Sequence, residues 1–212
     1  FSVMEERKIS EQESIEIITS MISRTKDRLA KGSGNILLMW GYLVVVITLL
    51  VWVLLITTHN QTVNWLWFLI WIIGGIATPI MARKGQARTG VKSYSDKLIS
   101  QIWTAVGLSA IATTAFCLGF LLIGGKHAWT AFFAFALVIV PMGEIMQGLV
   151  IREKSLICGG AIGLCAGIFT TCCIAADVPL VVSWFMPIFI VAFAAMMILP
   201  GHILNHKAKS IR

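Results

Sequence analysis

The sequence predicts an all-α polytopic membrane protein: six transmembrane helices arranged as three in-out-in hairpins, preceded by an amphipathic cytoplasmic helix. Three observations carry this. Only 13% of the 212 residues are charged, against roughly 25% in ordinary soluble domains. Mean hydropathy is +0.86, more apolar surface than a soluble fold of this length can hide. Six apolar runs, at about 36–57, 64–82, 101–123, 129–150, 156–176 and 181–204, are each close to the ~20 residues that cross a hydrocarbon layer. The runs lack the alternation of a membrane β-barrel, so helices must satisfy the backbone within each segment.

Before the first run the chain reads differently. Met4 is expected to be the native start, with Phe1, Ser2 and Val3 a remnant ahead of it. Residues 4–34 form the amphipathic cytoplasmic or interfacial segment. Ser10 and Glu13 make a capping box opening a helix over 10–31. Ile15, Ile18, Ile22 and Leu29 form one apolar stripe, and Gly32 is the expected C-cap. Acidic Glu11, Glu13 and Glu16 precede basic Arg24, Lys26, Arg28 and Lys31, an order that suits the helix dipole. Such a helix can lie on an anionic membrane surface, pack on the protein's own loops, or engage a cytoplasmic protein partner.

The six-helix domain occupies 35–205, and a basic cytoplasmic tail 206–212. Lys and Arg alternate strictly between its two sides. Arg24 to Lys31, then Arg83, Lys84, Arg88, Lys92 and Lys97, then Arg152 and Lys154, then Lys207, Lys209 and Arg212 fall on one side. The opposite loops near 58–63, 124–128 and 177–180 hold Lys126 alone. This places both termini in the cytoplasm. The same placement explains the net charge of +7 without nucleic acid as a partner. Asn60-Gln61-Thr62 is a sequon set almost against the membrane.

The hairpins echo one another. The second, fourth and sixth runs carry tryptophan at their outer ends (Trp65 and Trp67, Trp129, Trp184) and proline in their inner thirds (Pro79, Pro141, Pro200). Trp40-Gly41 in the first run is matched by Trp103 and Gly107 in the third. A threefold repeat about the membrane normal is one reading. Tryptophan's general liking for interfaces is the other.

Few residues point to chemistry. Glu144 is the only acidic residue well inside a run, at a cost of roughly 2.5–3.5 kcal/mol on insertion scales. With Gln147 and a carbonyl freed by Pro141 it can bind a proton, a cation or an amine; alternatively it is solvated near the inner headgroups. His202 and His206 share a helix face, a spacing that can hold a metal, but no third ligand stands beside them, so no metal is expected. His202 is the histidine placed to reach Glu144. Gly159, Gly163 and Gly167 make a small-residue stripe for close helix packing, within the chain or in a homo-oligomer. Cys117, Cys158, Cys165, Cys172 and Cys173 read as small apolar side chains, and Thr113, Thr114, Thr170 and Thr171 as hydroxyls bonded to their own helix.

No P-loop, HExxH or GxSxG is present, so neither a cofactor nor an enzyme is expected. In layout the chain resembles the small multi-pass inner-membrane proteins of bacteria, which implies a bacterial inner membrane and assigns no activity. Two functions remain: a small-solute or ion transporter or channel using the intramembrane carboxylate, or a sensor or scaffold acting through its N-terminal helix.

Overall fold

The computed structural model describes residues 10–87 and 94–210. Residues 1–9, Arg88, Lys92 and Arg212 lie outside the described residues, and so do the side chains of Ile18, Ile22, Leu29, Arg24, Lys26, Arg28 and Lys31. The described chain is helical apart from short connections, and six helices are long and apolar enough to cross a membrane: Gly34–Thr58, Gln61–Lys84, Tyr94–Gly124, Ala131–Ile151, Lys154–Ala175 and Val182–Lys207, here spans 1 to 6. Large apolar side chains face outward, with Phe116 71% and Ile123 93% exposed, while Thr48, Glu144, Gln147 and Thr170 are buried. Apolar side chains thus lie on the outer surface as well as in the core, which suits an apolar surrounding.

Ser10 caps the first helix, its Oγ accepting from the Glu13 N–H at 3.2 Å. The expected stop at Gly32 is absent. One helix runs from Glu11 to Thr58, 48 residues, or roughly 70 Å. Glycine loses backbone entropy in a helix but breaks no hydrogen bond, and no proline follows to end the run. A separate helix lying flat on the surface is therefore replaced by a continuation of span 1.

Short connections end in left-handed residues that are not glycine: His59, Arg152 and Asp177. Each hands its helix's free carbonyls to the following N–H groups; the Glu153 N–H reaches the Gly148 carbonyl at 2.8 Å and the Val178 N–H the Cys173 carbonyl at 2.8 Å. Asn60 Oδ1 accepts from the Thr62 N–H at 3.0 Å and opens a 3₁₀ segment, Gln61–Trp67, at the start of span 2.

Spans 4 and 6 share a departure from α geometry. Each contains a five-residue π turn, Phe135–Ile139 and Ala194–Ile198, two positions ahead of a proline, Pro141 and Pro200. Proline lacks an N–H and crowds the carbonyl four residues back, and a widened turn relieves both. Pro79 sits inside a regular α-helix, Phe68–Ala87, so this likeness joins two of the three hairpins.

Span 5 packs between spans 4 and 6. A Cβ on Gly167 would collide with the Leu137 carbonyl, four residues before Pro141. On Gly160 it would lie 2.9 Å from the Pro141 carbonyl oxygen, on Gly163 2.6 Å from Met196 Sδ, and on Gly159 2.8 Å from Pro200 Cγ. The glycine stripe is thus used inside the chain, and a homo-oligomer through it has no free surface there. Span 1 packs on span 6 in the same manner, Gly41 against Met197 and Gly201 against Leu38. Span 2 leans on span 1, and span 3 on span 4, while spans 2 and 3 share no packed interface among the described residues.

Candidate functional site: an aromatic groove and a sealed carboxyl

Between spans 2 and 3 lies a groove of about 1500 Å³, backed by spans 1, 4 and 6. It runs from Lys84, Asp96 and Asn35 at the rim that carries the basic turns to Gln61, Asn64 and His127 at the far rim. Six of the eight tryptophans line it: Trp40, Trp65, Trp67, Trp71, Trp103 and Trp129. At the far rim the groove is closed by ring contacts between spans 2 and 4, with Trp65 and Phe68 at 6.4 and 5.8 Å from Trp129, and Trp71 at 6.2 Å from Phe132. The two pairs with Trp129 are edge-to-face and add to the apolar burial of the rings themselves.

Two tryptophans are fixed by hydrogen bonds across a hairpin. Trp40 Nε1–H of span 1 donates to Thr78 Oγ1 of span 2 at 3.0 Å, and its indole lies over Gly74, where any Cβ would strike the ring. Trp103 Nε1–H of span 3 donates to Gln147 Oε1 of span 4 at 2.6 Å. The Trp40 and Trp103 echo in the sequence is thus an echo of role: in hairpins one and two, the odd span sends an indole N–H to a polar residue on the even span. Thr78 and Gly74 carry no signal of this in the sequence, because their importance is set by a neighbour 38 or so positions away.

Glu144 is fully buried, and neither carboxyl oxygen has a hydrogen-bond partner among the described residues. Its flanks locate it. Val140 and Gln147, one turn to either side, line the groove, while Pro141 and Gly148 face span 5. The 3.6-residue period puts Glu144 between these two edges, one layer behind the groove wall. A carboxylate there lacks the donors that normally hold a buried charge.

His202 does not join it. The ring is exposed, its Nε2 2.8 Å from Tyr42 Oη, and His206 is exposed one turn further on. The expected approach of His202 to Glu144 is corrected: the residue after Gly201 points away from the bundle because Gly201 itself is pressed onto Leu38. No group of metal-ligating side chains forms among the described residues. Thr113, Thr114, Thr170 and Thr171 bond to carbonyls four residues back in their own helices, and Cys158, Cys165 and Cys172 lie on the exposed face of span 5.

At the basic rim, Lys207 Nζ pairs with Glu153 Oε2 at 2.7 Å, tying the end of span 6 to the turn between spans 4 and 5. Comparison with known protein families, curated proteins and solved structures returned no match.

Proposed function

We propose that the chain is a membrane carrier whose binding surface is the groove between spans 2 and 3, with Glu144 as the intramembrane carboxyl coupled to it. The supporting observation is the groove itself: a preformed aromatic cleft running from rim to rim beside a sealed carboxyl that has no donor among the described residues. Small-molecule sites are mostly apolar with a few placed polar groups, and here Gln147, Thr78 and Ser100 are those groups. The lining favours an apolar or amphiphilic solute over a hydrated ion. Glu144 then takes up a proton or a cation when span 3 shifts against span 4 and draws Trp103 away from Gln147. The Lys and Arg alternation supports both ends on the cytoplasmic side, and the layout supports a bacterial inner membrane as the setting.

Reconstituted vesicles test this. Uptake of a lipophilic solute driven by a proton gradient is expected in the native protein and lost in Glu144→Gln, while Glu153→Gln, at the rim, retains it. Equal uptake by Glu144→Gln removes the carboxyl from the mechanism.

A second reading draws on the 48-residue helix. Leu37, Trp40 and Val44 line the groove and belong to the same unbroken rod as Ser14 and Thr19. A sensor would report occupancy of the groove through that rod to a cytoplasmic partner. Deleting residues 4–31 separates the readings: a carrier keeps its uptake, whereas a sensor loses partner recovery.

A further inference from the structure

We infer that the groove holds one anionic phospholipid, its headgroup at Lys84 and its acyl chains running along the aromatic wall towards Trp71 and Phe135. This rests on the groove being the binding surface and names its ligand class.

Four observations lead there. Spans 2 and 3 share no packed interface among the described residues, so short of the ring contacts at the far rim no helix pairing closes the groove between them, and a lipid enters there without crossing a headgroup layer. The wall is stiff, since Trp40 and Trp103 are held by Thr78 and Gln147, and a preformed apolar cleft lowers the ordering cost of binding. From Lys84 to Trp71 along span 2 is roughly 20 Å, which matches one leaflet's share of a ~30 Å hydrocarbon layer with its headgroup level. The charge at that end is complementary: Lys84 lines the groove and has no ion pair among the described residues, while Asp96 opposite it is engaged in a contact of its own. Asn35 and Ser100 add a hydrogen-bonding amide and hydroxyl at headgroup depth.

Halfway along, the span 3 wall is flat. A Cβ on Gly107 would meet nothing within 4 Å, so a large side chain there enters the space without disturbing a packed helix. That position supplies the blocking variant.

The full chain, washed in detergent and exchanged against either phosphatidylglycerol or phosphatidylcholine, is read by native mass spectrometry. One phosphatidylglycerol per chain is expected to survive. Lys84→Ala should cut the preference over phosphatidylcholine about fivefold, the worth of one lysine near an anionic surface. Gly107→Trp should abolish retention of either lipid, and Val191→Trp, on the outer surface, should change nothing. A photoactivatable phosphatidylglycerol added to the unaltered protein should label the stretch 68–84 and the stretch 99–107, which keeps the test decisive if Gly107→Trp fails to fold. Equal retention of both lipids, or labelling spread evenly over the outer faces, overturns the proposal. So does a dimer cross-linked through Gly107→Cys, which would give the groove to a second copy. Retained lipid with no solute uptake would sink the carrier reading and leave this site standing; uptake with no specific lipid would do the reverse.

Discussion

Gly167 and Gly107 are one residue type in opposite settings. At Gly167 the obstacle is the Leu137 carbonyl, a backbone atom that cannot swing aside. Gly167→Ala is therefore expected to lower stability by about 1–3 kcal/mol or more, the usual range for overpacking, read as a fall in the detergent unfolding midpoint. Gly107→Ala meets open space and should raise that midpoint slightly, by up to about 1 kcal/mol from helix propensity. Glu144 invites the contrary trade. Glu144→Leu removes a buried carboxyl without partners and should stabilise the fold by roughly 2–3 kcal/mol, while abolishing gradient-driven uptake; destabilisation instead would show that the carboxyl has a structural partner. Glu144 was legible in the sequence because a charge inside an apolar run is anomalous on its own. So was the glycine stripe, by its spacing. The pairs Trp40–Thr78 and Trp103–Gln147 were not, because each joins two ordinary residues whose meeting depends on how the hairpins dock.

The helices carry a different lesson. Six helices long and apolar enough to cross a membrane overlap the six apolar runs, since length and hydrophobicity decide that much, but the third begins at Tyr94, seven residues ahead of its run. Their ends and irregularities did not follow from the same signals. Of the four left-handed turn residues among those described, Gly125 announces a helix stop, but the other three are His, Arg and Asp, which do not. Pro141 and Pro200 widen their helices into π turns while Pro79 does not, a difference imposed by the neighbours and invisible in the residue itself. Gly32 looked like an end and is not. Spin labels at Thr19 and Thr57 should therefore lie roughly 57 Å apart with a narrow spread. A broad distribution near 40 Å would mean that the rod bends where glycine was expected to end it.

At the scale of the molecule, spans 1, 4, 5 and 6 form a tight group and spans 2 and 3 stand off as arms. Backbone-close packing at Gly160, Gly163 and Gly167 leaves spans 4 and 5 little freedom, so motion falls to the arms. Fusing reporters to both termini should find them on the same side of the bilayer, as six crossings require. The groove itself could not be foreseen, because an opening depends on which helices fail to touch, and hydropathy says nothing of that.

The uninterrupted first helix has one further effect. Its portion ahead of Gly34 extends roughly 35 Å at the usual rise, so it acts as a pointer that magnifies angles. A tilt of about 10° at Trp40 would sweep the tip near Ser10 through roughly 8 Å, turning a displacement too small to notice at the indole into one that a soluble neighbour can register.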